Sequence, residues 1–251
     1  MGGGALLCAA LFFGILGLVE SGFRFDGLRL SFPATVTLTH VPQDARLYAD
    51  GREIVAENNE GTIVLSLAPN AQHLIVSHEG FWPWEKEMAP RSGEQTTFGV
   101  FLMPRDPQGT PILDKPLRPT LEALVARAKL PTRAAPILSA DGTASLFVEN
   151  GKIITRWLSE NPAPDYYCIA DSSCREHAAL TFEAELRDLA FYPGRNDIAL
   201  LAIQNGIFAL DLDNRGTQNF QPVYRGTRPR LLMHEGAAYL QEGKAVLRLT
   251  L

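Results

Sequence analysis

The sequence predicts an all-β fold that follows an N-terminal transmembrane helix. Short segments in which apolar and polar residues alternate recur from residue 35 onward, as half-buried strands do. Between these segments lie Asp-Gly, Asn-Gly and Glu-Gly pairs, which favour tight turns. A helical pattern within a proline-rich stretch separates two such β regions. We therefore expect two β domains joined by a helical linker.

The overall composition is that of a globular protein with room for two domains. The chain has 251 residues, of which 46% are hydrophobic and 20% are charged. Its formal net charge is -5, so it lacks the excess of lysine and arginine that nucleic-acid binding requires. We therefore expect no nucleic-acid partner.

The predicted membrane anchor is the uncharged segment 2–19. As a helix it would be about 27 Å long, close to the roughly 30 Å of a bilayer core. A cleaved signal peptide is the alternative, since Val19 and Ser21 are small residues suited to a cleavage site, but the basic residues that usually precede such a segment are missing. We expect a single-pass protein of the cell membrane, with its C-terminal body outside the cytoplasm.

Residues 33–104 carry the turns and alternating segments expected of a small β-sandwich. The segment resembles a PEGA domain, a small extracytoplasmic β-sandwich, in four motifs taken in order. They are Pro42-Gln43-Asp44-Ala45, Tyr48-Ala49-Asp50-Gly51, Leu67-Ala68-Pro69 and Gly80-Phe81-Trp82-Pro83-Trp84. The family pattern has Glu-Gly where this chain has Gln43-Asp44, and Gly where it has Asn70. The second change is mild, because asparagine tolerates left-handed backbone better than most residues.

The linker, residues 105–136, is rich in proline and contains one amphipathic helical pattern from about Leu121 to Lys129. Thr120 is the expected N-cap of this helix. One apolar stripe follows the helix, formed by Leu121, Leu124, Val125 and Ala128. We expect the stripe to pack against a flanking β domain.

Residues 137–251 repeat a loop, a strand, a turn and a second strand. The repeats predict strands at 145–148, 152–158, 198–203, 207–212, 237–240 and 245–251. This cycle resembles the blades of a β-propeller. Three partial blades are too few to close a ring, so the resemblance implies incomplete propeller-like antiparallel sheets that either stack openly or need a partner.

Cys168 and Cys174 lie in a polar loop whose serines and aspartate favour chain reversal. The spacing permits a disulfide, which would agree with an oxidising compartment. Two free thiols are the alternative. A zinc site is not expected, because the chain has no second cysteine pair and His177 alone is not a set of ligands.

The sequence predicts no catalytic, cofactor-binding or metal-binding residue. A segment that begins like a calcium loop, Asp211 to Gly216, has Arg215 and Pro222 where the loop needs ligands. We expect Asp211 and Asp213 to cap a strand and bind Arg215 or Arg225 instead. Ser139 and Ser145 have no recognisable base partner, and no nucleophile elbow, phosphate loop or His-Glu-x-x-His helix is found in the sequence.

Trp82 and Trp84 form the one candidate interaction surface. They flank Pro83 and would face the same side of an extended segment, where they could stack on a sugar or contact a partner. The alternative, which we favour, is that one tryptophan closes the sandwich core while the other covers its edge and Pro83 prevents further strand pairing.

Together these features predict a non-catalytic, membrane-anchored extracytoplasmic protein that mediates binding or structural interactions at the bacterial cell envelope. Its expected partners are the membrane, through the N-terminal helix, and an envelope protein or glycan. One alternative is a membrane-anchored envelope hydrolase whose site is not visible in the sequence. Another is a structural spacer that holds the C-terminal domain away from the membrane.

Overall fold

The computed structural model describes residues 24–26, 29–70, 72–114, 116–169 and 173–251. These residues form mainly antiparallel β-sheets together with one α-helix, which confirms the all-β prediction at this level. The predicted transmembrane segment, residues 2–19, lies outside them. Within these ranges no helix is both long enough and apolar enough to cross a bilayer.

The described chain divides into two compact units. The first extends to Leu74 and resumes at Glu87–Val100, while the second comprises Ile75–Lys86 and Phe101–Leu251. The sequence-based division places residues 33–104 in one module, whereas the contacts assign the segment Ile75–Lys86 to the same unit as the C-terminal sheets.

The N-terminal strands form three sheets with the orders β1-β2, β6-β3-β9 and β5-β4-β7-β8. Strand β3 pairs antiparallel with β6 and parallel with β9, while β7 and β8 each extend across the boundary between the two units. The strands are β1 (Arg24–Asp26), β2 (Arg29–Ser31), β3 (Ala34–Thr39), β4 (Arg46–Ala49), β5 (Arg52–Ile54), β6 (Ile63–Leu67), β7 (Gln72–Ser77), β8 (Trp84–Met88) and β9 (Gln95–Gly99).

The predicted alternation is visible in the burial of these strands. In β3 the side chains of Ala34, Val36 and Leu38 are buried while their neighbours are only partly covered. The predicted turn at Asp50-Gly51 has positive φ at both residues, 49° and 74°, which is the geometry that Asp-Gly favours in a two-residue hairpin. The local sequence therefore accounts for both the inward face and the turn.

Three four-stranded antiparallel sheets make up most of the second unit, with the orders β11-β12-β13-β14, β15-β16-β17-β18 and β10-β21-β20-β19. Strand β10, which precedes the helix, completes the third sheet by pairing with the last strand of the chain. The elements are β10 (Gln108–Pro111), α1 (Leu117–Arg127), β11 (Ile137–Leu138), β12 (Ala144–Glu149), β13 (Lys152–Trp157), β14 (Glu176–Thr181), β15 (Asp188–Phe191), β16 (Ile198–Ile203), β17 (Gly206–Asp211), β18 (Phe220–Arg225), β19 (Arg230–His234), β20 (Ala237–Glu242) and β21 (Ala245–Thr250).

Helix α1 begins one turn earlier than predicted. The expected N-cap, Thr120, is wrong: the N-cap position is Pro116, and the Thr120 hydroxyl donates to the Pro116 carbonyl at 3.2 Å. The earlier start is possible because Pro119 falls in the first turn, where a backbone N–H is not needed. Leu121 is fully buried against Tyr239 and Val246, and Val125 is also buried, so these two residues of the predicted stripe are covered, whereas Leu124 is exposed.

Candidate functional site

Strands β11, β15 and β19, one from each of the three C-terminal sheets, line one cavity of about 460 Å³, which we call the inner-strand groove. Each of these strands stands at the end of its sheet. The lining residues are Ala128, Lys129, Ile137, Leu138, Ala140, Asp188–Gly194, Leu231–Met233 and Gly236. Because most of these side chains are apolar, the groove can accept apolar groups, and the side chain of Leu138 is 61% exposed there.

A half-buried ion pair joins two of the groove strands. The Arg230 guanidinium donates to both carboxylate oxygens of Asp188, at 2.8 and 2.9 Å, and the backbone N–H of Leu231 donates to the same carboxylate at 2.9 Å. Arg230 also donates to the carbonyls of Val125 and Ala128 at the C-terminal end of α1. The hydrogen bonds to Asp188 raise the pKa of Arg230. The same contacts link β15, β19 and the end of the helix.

A second cavity of about 570 Å³ is lined by Trp82, Arg105, Asp106, Pro107 and the end of β18 from Pro222 to Arg225. We call it the Trp82 cavity. The guanidinium carbon of Arg105 lies 5.6 Å from the centre of the Trp82 ring, within the range of a cation–π contact. The Nε of Arg105 donates to the Phe81 carbonyl at 2.9 Å, so both the indole and the guanidinium have defined positions.

The opposite wall of the Trp82 cavity is formed by Tyr224 and Arg225. The hydroxyl of Tyr224 donates to the Glu242 carboxylate, and this hydrogen bond raises the pKa of Tyr224 to about 12. Arg225, the last residue of β18, has an exposed side chain. The residues that line the cavity therefore include two arginines, one tryptophan and one tyrosine.

The two tryptophans of the candidate interaction surface have different environments. Trp84, in β8, is 0% exposed, so its ring is not accessible to a ligand. Trp82 is half-buried and lines the cavity, and its indole N–H has no hydrogen-bond acceptor among the described residues. Only Trp82 is therefore placed to contact a bound molecule.

Cys168 and Cys174 are at disulfide distance, with their sulfur atoms 2.11 Å and their Cα atoms 4.2 Å apart. Cys168 is the last residue of a short 3₁₀ helix, Asp165–Cys168. The two residues before it, Tyr166 and Tyr167, are buried in the core formed by the first two C-terminal sheets, and the hydroxyl of Tyr167 lies 2.6 Å from that of Thr155. The cysteine pair therefore closes a loop whose first end is anchored in that core.

A feature that sequence reasoning missed is a buried ion pair formed by Lys86 and Asp211. The two side chains are 1% and 2% exposed, and Lys86 Nζ lies 3.3 Å from Asp211 Oδ2. Burial raises the pKa of Asp211 to about 6, although the charge of Lys86 opposes this shift. The alternating pattern of β8 indicates that Lys86 is buried, because it lies two residues after Trp84 and therefore on the same inward face.

Asp213 and Ser139 are held in turns, whereas Ser145 is a buried residue of strand β12. Asp213 accepts from the Arg215 side chain at 2.7 Å, which confirms one of the pairings expected for this loop. Ser139 donates to Asp141 at 2.6 Å within the turn between β11 and β12. Throughout the described ranges, no group of three or more His, Cys, Asp or Glu residues is arranged to hold a metal ion.

Comparison with models of protein families gives no match, and comparison with curated proteins gives none either. Among solved structures, the chain is similar to a protein of unknown function from Bacteroides fragilis whose description suggests membrane association. The two chains share 10% sequence identity at a TM-score of 0.24, and the alignment covers 78% of this chain and 99% of the other. A similarity this low carries no argument about fold or function.

Proposed function

We propose that this chain is a non-catalytic, membrane-anchored binding protein of the bacterial cell envelope, with its C-terminal body outside the cytoplasm. Its inner-strand groove binds an extended segment of another protein. The observation that carries the proposal is the convergence of three sheet-end strands on one mainly apolar cavity.

Backbone chemistry favours an extended polypeptide as the occupant of the groove. The end strand of a sheet has one edge without a neighbouring strand, and the N–H and C=O groups along that edge can pair with an added strand. β11, β15 and β19 are all end strands. Apolar side chains of the bound segment would pack on Leu138 and Leu232, which line the groove, while its backbone pairs with one of these edges.

The proposal includes the two domain assignments predicted from the sequence. Residues 33–104 form a PEGA-like β-sandwich, and residues 137–251 form an incomplete β-propeller. The propeller assignment is supported by the order of strands within each sheet: β11, β15 and β19 lie at the groove, and the strands that follow each of them in the chain lie successively farther from it. Strand β10 is the outermost strand of the third sheet, so each of the three sheets has four strands.

The compartment is inferred from two observations. The apolar segment 2–19 has the length of a membrane span, and Cys168 and Cys174 lie at disulfide distance. Disulfides persist in oxidising compartments and are rare in the cytosol. Both observations favour an anchored protein whose body is exported.

Topology is tested by protease accessibility combined with thiol labelling. In a Cys8→Ser background, we expect an added protease to degrade the body in spheroplasts. Denatured protein from the same cells should take up a maleimide reagent at Cys168 and Cys174 only after reduction. A protected body with thiols that react without reductant would contradict the proposed compartment.

Groove binding is tested with a photo-crosslinking amino acid at Leu138, which is exposed in the groove. Leu158, 43% exposed and outside the groove lining, is the matched control. We expect a discrete protein adduct at position 138 that is absent at position 158, and it should weaken when Leu232→Glu places a charge in the groove. Equal adducts at both positions, or none at either, would refute the assignment.

A further inference from the structure

We infer that the Trp82 cavity is a second binding site and that it takes a saccharide carrying one carboxylate. The site belongs to a different part of the second unit from the inner-strand groove, and the inference goes beyond the function proposed for that groove. It depends on the residues that line the cavity, on their charges and on how firmly they are held.

The size and polarity of the cavity favour a small polar ligand with one apolar face. Its volume, about 570 Å³, falls within the usual range for small-molecule sites, roughly 300–1,000 Å³. The lining is mainly polar, which disfavours an apolar peptide side chain. Trp82 supplies aromatic surface on which the apolar face of a sugar ring can pack.

The charge of the lining favours a single carboxylate. Arg105 and Arg225 contribute two positive charges and Asp106 one negative charge, so the lining carries a net charge of +1. A guanidinium binds a carboxylate through two parallel hydrogen bonds. A doubly charged phosphate would exceed the net charge of this lining, whereas one carboxylate matches it.

Hydrogen bonds within the protein hold the residues that line the cavity, and such preorganisation lowers the entropy cost of binding. The backbone N–H of Trp82 donates to the Met103 carbonyl at 2.8 Å, and that of Arg105 donates to the Gly80 carbonyl at 2.9 Å. These bonds hold the two segments that carry the indole and the first guanidinium side by side. On the other wall, the bond from Tyr224 to Glu242 positions the residue next to Arg225.

The test compares three probes on the full-length chain in detergent: a disaccharide containing one glucuronate, its neutral glucose counterpart, and an acidic dipeptide. Binding is followed by isothermal titration calorimetry and by tryptophan fluorescence. We expect the acidic disaccharide to bind at least about tenfold more tightly than either other probe, because only that probe satisfies both the indole and the guanidinium groups.

Two substitutions locate the binding. Arg225→Gln should weaken binding of the acidic disaccharide by about tenfold or more and leave the neutral disaccharide unaffected. Arg228→Gln is the matched control, since Arg228 is an exposed arginine three residues away that does not line the cavity. Both side chains are exposed, so we expect both variants to fold.

Several results would overturn the inference. They are equal binding of the acidic and neutral disaccharides, tighter binding of the acidic dipeptide, an unchanged affinity in Arg225→Gln, and no binding of the acidic disaccharide at millimolar concentration. A loss of affinity in Arg228→Gln as large as that in Arg225→Gln would show general charge attraction, and this would also refute a defined site.

Discussion

Two clusters of ion pairs in the second unit use the same chemistry in opposite surroundings. Lys86 and Asp211 form the buried pair, with almost no exposed surface. Arg133, Glu149 and Glu176 form the surface cluster, in which the guanidinium of Arg133 donates to both glutamates at 2.7 and 2.8 Å.

The carboxyl groups of the two clusters have pKa shifts of opposite sign. Burial raises the pKa of Asp211 to about 6 despite the neighbouring ammonium group. Hydrogen bonds from Arg133 lower the pKa of both Glu149 and Glu176. An ion pair therefore does not by itself stabilise the charged carboxylate, because the cost of removing water decides the sign when the pair is buried.

The largest effect is expected from Lys86→Met, which leaves Asp211 buried without its cation. We expect the free energy of unfolding to fall by about 3–5 kcal/mol, as when one partner of a buried pair is removed. Urea denaturation measures the loss. The double variant Lys86→Met, Asp211→Leu should recover most of the stability, because it removes the charge that was left unpaired. A double variant no more stable than the single variant would contradict the account of the buried pair.

The pH dependence of stability should separate the two clusters by sign. The pKa of Asp211 in the folded protein is about 6, above its value of 3.8 in the unfolded chain. The contribution of this group to the free energy of unfolding is therefore fully present below about pH 3.8 and is lost as the pH rises through about 6. The change amounts to about 3 kcal/mol for a shift of about 2 pKa units. Glu176, whose folded pKa is lowered from 4.5, contributes stability above that pH and loses it as the pH falls.

This sign difference is measured by comparing the wild-type protein with Asp211→Asn and with Glu176→Gln between about pH 3.5 and 7. The wild-type advantage over Asp211→Asn should shrink as the pH rises, whereas the advantage over Glu176→Gln should grow. Parallel curves for the two comparisons would show that burial does not set the sign.

The ion pair between Asp188 and Arg230 has intermediate burial and should have an intermediate effect. Asp188→Asn weakens two charge-assisted hydrogen bonds to a partly exposed arginine and one from a backbone N–H. We expect a loss of about 1–3 kcal/mol in the free energy of unfolding. Asp165→Asn, at an exposed aspartate that pairs with Arg215 at 3.5 Å, is the control and should change stability less. If Asp165→Asn lowered the free energy of unfolding as much as Asp188→Asn, the degree of burial would not explain the order of the effects.

The smallest effect is expected from Arg133→Gln in the surface cluster. When the guanidinium is removed, water solvates Glu149 and Glu176 keeps its ion pair with Arg156, so the free energy of unfolding should change less than in Asp188→Asn. Thermal and urea denaturation at low and at high salt check this, and the small difference should diminish further at high salt. A loss equal to that of Lys86→Met would break the comparison between buried and surface pairs.

Local features of the fold were predictable because neighbouring residues determine them. The alternation in β3 predicts which side chains are buried, and Asp50-Gly51 predicts a turn with positive φ at both residues. The bond between Asp213 and Arg215 joins residues two positions apart, so a local reading of the loop also found it. The amphipathic pattern that begins at Leu121 does not reveal the earlier start of α1, because Pro119 interrupts the pattern although a first turn tolerates proline.

The candidate sites were much less predictable. The Trp82 cavity brings together residues 82, 105–107 and 222–225, and among them the sequence indicates Trp82 alone as a candidate interaction residue. The inner-strand groove depends on three strands, β11, β15 and β19, and three other strands separate each of them from the next along the chain. The residues of each site are too far apart in the chain to form a recognisable sequence motif.

By itself the sequence determined that the chain forms short antiparallel strands with tight turns, one amphipathic helix and a closely spaced cysteine pair, because these follow from periodicity and from the conformational preferences of single residues. Only the tertiary structure decided that Lys86 lies against Asp211, that β10 completes the last sheet and that three sheet-end strands meet at one groove. These arrangements depend on contacts between distant segments, where the balance of desolvation and pairing is settled by packing and not by local sequence.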